Sequence, residues 1–299
     1  MRSGSIMNYA RKTAAQLLRL VPGSTALALK RDLRDAAWLA EADSVIVSYP
    51  KSGRTFVRAM LARLFQRRFG VDERQLLEFP MLENAPNEVP RVLFTHAGDT
   101  MRSVDQIQSD ASTYRGKKVA LIARHPGDIA VSRYHHLKHR SRDRARRKLA
   151  ELPLDDFVWA EQGGVPSIVK FLNDFAALPG VTIVRYEDFL AKPATALAKL
   201  AKAIGLKVSA ADIADAVEFG SIDQLRRHER EGYFQSSRLR AARKGDEKSF
   251  KVRQGKSGGY RVQLSPSAVK RIDDYVAKNL DPSLGYSSKP GPRKRRTKQ

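Results

Sequence analysis

The stretch from Ser44 to Phe65, SVIVSYPKSGRTFVRAMLARLF, constrains the fold more than any other part of this chain. Its first residues, SVIVS, form an apolar run too short for a helix and too uniform for a half-exposed strand, which is the signature of a strand buried on both faces of a parallel sheet. Phe56, Met60 and Leu64 then recur at helical spacing. Between strand and helix stand Pro50, Lys51, Ser52, Gly53, Arg54 and Thr55. A turn alone needs only Pro or Gly, so the remaining residues ask for another explanation. Gly53 lets the backbone bend tightly and approach a ligand, and the N–H groups of residues 52 to 55 then point inward at a helix N-terminus, where anions are favoured. Lys51 adds a point charge, and Ser52 and Thr55 add hydroxyl donors. A polar strand-to-helix turn is the plain reading of KSG alone; in this setting the turn is expected to bind phosphate. It is not a Walker A loop, because G-x-x-x-x-G-K-[ST] is absent and the Lys precedes the Gly.

Three more segments share the buried-strand pattern: RVLFTHAG, KVALIARHP and VTIVRYEDF. Helical patterns follow at least three of the four strands. DIAVSRYHHLKHR follows Pro126, with Pro126 and Asp128 suited to a first turn, and ATALAKLAKAIG follows Pro193 and stops at Gly205. Alternating strands and helices predict an α/β fold: a single domain with a central, mainly parallel sheet flanked by helices and a P-loop-like binding loop. Ligands of such sheets gather at the carboxyl ends of the strands, where the polar clusters fall. The expected boundaries are an N-terminal helical extension over 1–42, the main domain over 43–286 and a basic, disordered tail over 287–299. No repeats are visible.

Of the 299 residues, 55 are Lys or Arg and 32 are Asp or Glu, a formal net charge of +23. Six of the basic residues lie in the final KPGPRKRRTKQ, and removing that tail leaves 49 against 32, so the body itself is basic. Such a field draws anions: nucleotides, nucleic acid, acidic glycans or a membrane surface. Solvated basic faces account for many of these charges, including the run KHRSRDRARRK over 138–148, which reads as a solvated helix face or an anion-facing lid. With no cysteine, disulfides, Cys-zinc sites and thiol catalysis are excluded. No apolar run approaches the ~20 residues of a membrane span. The N-terminal AQLLRLVPGSTALALKRDLRDAAWLAEA reads as a surface helix pair broken at Pro22-Gly23, not a signal peptide.

A second cluster, ARHPGDIAVSRYHH, places Arg124 at a strand end and Ser132 eight residues on along the helix. A forked guanidinium with a hydroxyl suits a phosphate dianion; the alternative is an Arg capping the sheet edge and an ordinary helical Ser. Taken in order, YPKSGRTF, RHPGDIAVSRYHH, VRYEDF and FKVRQGKSGGY resemble the sulfotransferases that use 3′-phosphoadenosine 5′-phosphosulfate (PAPS), from about Ser44 to Tyr260. The resemblance implies that Lys51, Ser52, Gly53, Arg54 and Thr55 hold the phosphosulfate, with Phe56 in place of the Trp that stacks on adenine. It places the 3′-phosphate on Arg124 and Ser132 and on the late motif at Arg253, Gln254 and Gly255, where Gln254 replaces a Lys. Tyr186 falls near the adenine, and Ser221 matches a nucleoside-side Ser. Gly259 and Tyr260 stand where Asp and Trp are usual.

The family's general base is a His in Lys-Thr-His; here Phe94, Thr95 and His96 occupy that motif, with Phe94 replacing the Lys. His96 ends the second strand at the same sheet edge as Lys51, and imidazole is the side chain best poised to accept a hydroxyl proton near neutral pH. His135 and His136 are backups, expected to line the acceptor pocket or solvent. The implied reaction moves a sulfuryl group to a hydroxyl or amine by in-line attack, with His96 as base, Lys51 and the loop amides stabilising the leaving group, and no metal. Ser132 is implied to restrain Lys51 until an acceptor arrives. The acceptor, a small molecule, lipid or glycan, is chosen by segments 66–92, 133–170 and 226–250, which carry no decodable motif. Peripheral membrane contact is compatible with the charge, nucleic acid is not expected as a partner, and the cytoplasm is the expected location. Two rivals remain at this stage: a P-loop-type nucleotide phosphotransferase, which needs a Walker Lys and Mg²⁺ carboxylates, and a non-enzymatic anion- or nucleic-acid-binding protein, which needs only the charge.

Overall fold

The computed structural model describes residues 33–98, 104, 111–141, 147–236, 239 and 256–286. The chain divides into two compact units, Met1–Ala42 and Asp43–Gln299. Within the first, residues 33–41 are helical, and Arg34 pairs with Asp35 and covers the Trp38 ring. The residues of the expected 287–299 tail, and residues 142–146 of the charge run, lie outside the described residues.

All four apolar runs form strands: β1 (Ser44–Ser48), β2 (Val92–Thr95), β3 (Lys118–Ala123) and β4 (Thr182–Arg185). They make one parallel sheet in the order β2-β1-β3-β4. Every residue of β1 is buried, as the unbroken apolar run requires of a central strand covered on both faces.

The polar turn after β1 leads into helix α1 (Arg54–Phe69), whose residues Val57 to Ala62 are all buried. This helix lies inside the main core with Ile46, Val92, Ala120, Ile122, Val184 and Leu197 rather than on a surface. A short helix α2 (Phe79–Glu83) precedes β2. Helix α3 (Pro126–His139) follows β3, with Pro126 and Asp128 in its first turn as the sequence leads one to expect. Helix α4 (Val165–Ala176) returns the chain to β4, after which come α5 (Tyr186–Ala191) and α6 (Pro193–Ala203). Helix α7 (Ala210–Phe219) packs beside α1, with Arg63 and Arg67 of α1 paired to Asp215 and Asp212 of α7, and α8 (Ile222–Glu231) follows against α7. The short α9 (Tyr260–Gln263) and α10 (Pro266–Asn279) close the described chain, with a 3₁₀ turn at Pro282–Leu284.

The register of the sheet decides what can meet at its carboxyl edge. Val47 pairs with Thr95, so His96 leaves β2 beside Ser48, the last residue of β1. Ala123 pairs with Arg185 at the end of the β3–β4 ladder, and just past it Arg124 lies over the Tyr186 ring and the His125 N–H reaches Glu187.

Candidate active site

The turn after β1 carries two left-handed residues, Lys51 (φ 79°) and Gly53 (φ 82°). For Lys51 that conformation costs about 1–2 kcal/mol, a strain of the sort that clusters at functional sites. Gly53 is required twice. Its φ favours glycine, and a Cβ there would stand 2.3 Å from Cδ2 of Tyr186. Helix α1 starts at Arg54 with no side-chain cap and no acidic residue in its first turn, so its N-terminal dipole is not offset locally. Ser52 is fully buried, and its Oγ has no hydrogen-bond partner among the described residues. A buried orphan hydroxyl costs free energy unless a ligand completes it.

Arg124 joins the two sequence clusters. Its Nη1 donates to the Lys51 carbonyl at 3.0 Å, its Nη2 donates to the Lys256 carbonyl at 3.3 Å, and its guanidinium carbon lies 4.5 Å from the centre of the Tyr186 ring. Asp128, one turn along α3, lies 3.8 Å from Nη2. Arg124 Nε is buried with no partner among the described residues. Burial pushes the Tyr186 phenol up, against the opposing pull of Arg124, so it stays neutral. Phe56 meets Tyr186 and Phe189 edge to face at 6.3 and 6.4 Å, which puts an aromatic wall beside the turn.

His96 is partly buried, and its Nδ1 lies 2.6 Å from the main-chain oxygen of Ser48. A carbonyl can only accept, so Nδ1 carries the proton and Nε2 the lone pair. Phe94, two residues earlier, lies 4.2 Å beneath the guanidinium of Arg58, which is buried and donates to the carbonyls of Leu76 and Leu77. The ring that replaces the family's usual Lys therefore packs on a buried cation. His135 Nε2 lies 2.6 Å from Gln263 Oε1, so this backup histidine is engaged with α9.

The remaining candidates are placed as follows. Thr55 and Arg54 stand in the first turn of α1, and Ser132 lies partway along α3, partly exposed. Ser221 caps α8, its Oγ accepting from the Gln224 N–H, which gives it a structural task. Arg253, Gln254 and Gly255 lie outside the described residues. The corner just after them is fixed to α3: Asp128 accepts from the N–H groups of Gly258 (2.8 Å) and Tyr260 (3.1 Å), and the Tyr260 ring stacks on His125 at 4.6 Å. That ring lies against Gly127, where a Cβ would approach it to 2.8 Å. Sequence reasoning missed His125 and Asp128 as the seat of this corner.

Residues 41–283 match the family model for the sulfotransferase domain. The chain belongs to the sulfotransferase family. Cytosolic sulfotransferase 3 of Arabidopsis thaliana is 23% identical over 258 residues, 80% of this chain and 77% of that protein. Among solved structures, mouse sulfotransferase SULT7A1 complexed with PAP covers 82% of this chain and 86% of its own, at 19% identity and a TM-score of 0.53. Retinol dehydratase in a complex with retinol and PAP covers 83% and 86%, at 17% identity and a TM-score of 0.50. These structural likenesses speak to the fold. PAPS is the co-substrate of this sulfotransferase, and the orphan Ser52 Oγ and Arg124 Nε, at the two clusters the fold brings together, suit such a polyanion. Among the described residues, no group of three or more His, Asp or Glu is placed to hold a metal ion.

Proposed function

We propose that the turn at Lys51–Thr55, with Arg124, Tyr186 and His96, forms the donor and transfer site of this sulfotransferase. The observation that carries this reading is Arg124: one guanidinium touches the Lys51 main chain and the Tyr186 ring, so the 5′- and 3′-anion groups belong to one continuous surface. Lys51 and the amides at the start of α1 hold the 5′-phosphosulfate, with Ser52 and Thr55 as hydroxyl donors. Arg124 and Ser132, with Arg253, Gln254 and Gly255, hold the 3′-phosphate. Tyr186 and Phe56 border the adenine, and Ser221 stands on the nucleoside side behind its capping role.

Bound there, PAPS supplies an activated sulfuryl group whose bond to the 5′-phosphate oxygen breaks as the acceptor oxygen bonds to sulfur. His96 takes the acceptor's hydroxyl proton on Nε2, and the Ser48 carbonyl holds the tautomer that makes this possible. Lys51 and the helix N-terminus stabilise the negative charge growing on the phosphate side, which is the main catalytic task when the transition state is loose. Phe94 leaves the edge of β2 without the family's usual cation, so Lys51 carries this load with Arg54 beside it. The acceptor is a small hydroxylated molecule, on the model of retinol in the retinol dehydratase complex. The place of action is the cytoplasm, as the name of the Arabidopsis relative implies; no described helix is long and apolar enough to cross a membrane.

The test is transfer of labelled sulfate from PAPS to a panel of phenols and alcohols. His96→Ala is expected to lower turnover about 10²-fold or more; near-normal turnover in that variant removes His96 as the base.

A further inference from the structure

The donor site is built from two corners, Arg124–Pro126 after β3 and Tyr186–Glu187 after β4, and something must hold them at a fixed distance. The β3–β4 ladder ends at Ala123 and Arg185, and two residues past it the His125 main chain meets the Glu187 side chain. Glu187 uses one carboxylate oxygen for each of two partners: Oε1 accepts from the His125 N–H at 3.1 Å, and Oε2 accepts from the Tyr286 hydroxyl at 2.5 Å. The first contact sits at the N-terminus of α3, where a negative charge is favoured.

Tyr286 lies 99 positions from Glu187 in sequence and matches none of the site motifs, yet several contacts fix its place. The turn before it is anchored by fully buried Leu284 and by the Asp281 N–H on Asn173 Oδ1 at 2.8 Å. Arg185 donates to the Gly285 carbonyl at 3.1 Å, and the Tyr286 ring meets His125 edge-on at 5.6 Å. Burial, then the charge of Glu187, keeps this phenol protonated, so it serves as a donor throughout the working pH range.

Resting on the donor-site reading above, we infer that Tyr286 is a positioning residue for the donor: through Glu187 it fixes the His125 main chain, and with it the Arg124–Tyr186 pair. The hydroxyl does this, not the ring. Without it Glu187 loses one of these two partners, and the corner that presents Arg124 gains freedom. The cost then falls most heavily on recognition of the 3′-phosphate, the group assigned to Arg124; the 5′-side feels it only through the Arg124–Lys51 main-chain contact, while α1 keeps its own packing.

The experiment is titration calorimetry of wild type, Tyr286→Phe and Glu187→Gln with adenosine 3′,5′-bisphosphate (PAP) and with adenosine 5′-monophosphate (AMP), which lacks the 3′-phosphate. Losing one hydrogen bond to a charged group is expected to weaken PAP about tenfold and AMP less than about threefold, so the PAP-over-AMP preference falls. Glu187→Gln keeps the side chain's shape and is expected to act in the same direction; it carries the test if Tyr286→Phe melts below the assay temperature. Wild-type preference retained in the folded variants, or equal losses for both nucleotides, overturns the inference. A wild type with no preference for PAP over AMP overturns the donor-site reading itself, and the role of Tyr286 with it.

Discussion

The Arg124 guanidinium donates to the main-chain carbonyl of Lys51 across 3.0 Å, although 73 positions separate them in the chain. The contact holds Lys51 in a left-handed conformation that its side chain disfavours. It also makes a clean separation of charge from backbone strain possible. Lys51→Gly removes the cation and relieves the strain, so it is expected to raise unfolding free energy by about 1 kcal/mol while lowering turnover about 10²-fold or more. Urea denaturation and initial rates with PAPS check the two halves. Unchanged turnover contradicts the role given to Lys51.

Gly53 is the opposite case. Its φ of 82° and the Tyr186 ring, 2.3 Å from where a Cβ would stand, leave no room for a side chain. Gly53→Ala is expected to destabilise the protein by roughly 2 kcal/mol or more and to weaken PAP binding, because the ring beside the turn must move. Thermal unfolding with and without PAP measures both effects.

Restoring the family's lysine at position 94 is not expected to restore rate. The Phe94 ring packs beneath the Arg58 guanidinium at 4.2 Å, and that guanidinium is committed to two carbonyls. Phe94→Lys exchanges a cation–π contact for two like charges, at a cost of about 1–2 kcal/mol. Denaturant titration is expected to show that loss, with turnover unimproved.

His125 gives the protein a pH dependence of known sign. Burial lowers its pKa from 6.5 to about 4; Asp128 and Asp273 oppose the shift, and Arg261 and Arg124 add to it. The unfolded chain therefore takes up the proton first as pH falls. The stabilising contribution is fully present above pH 6.5 and is lost on descending from 6.5 to about 4, by about 3 kcal/mol. His125→Asn, which retains a capping acceptor for the Gly127 N–H, is expected to flatten the wild-type loss of stability between these pH values. Equal slopes in both proteins contradict the assignment.

The sheet was legible because the central strands β1 and β3 are buried almost throughout, and an unbroken apolar run has few other uses; β2 and β4, at the sheet's edges, are only partly buried but carry the same short apolar pattern. The turn at Lys51–Thr55 was legible because it carries more polar chemistry than a reversal needs. What the sequence did not display are contacts made by the main chain or across long separations. The Ser48 carbonyl that orients His96 has no side-chain signature. Tyr286 and Glu187 become neighbours only once the Pro282–Leu284 turn is anchored against Asn173 and Arg185. Phe94 reads as a missing lysine until Arg58 is seen above it. Ser221 shows the converse: its match to a nucleoside-side Ser coincides with the ordinary needs of a helix N-cap.

The account stands on one nucleotide spanning Lys51 and Arg124. Calorimetry of PAP and ATP against wild type, Lys51→Ala and Arg124→Ala tests this most directly. The expected result is a wild-type preference for PAP over ATP, with each substitution weakening PAP about tenfold or more. ATP binding as tight as PAP, or undiminished PAP affinity in Arg124→Ala, would contradict it.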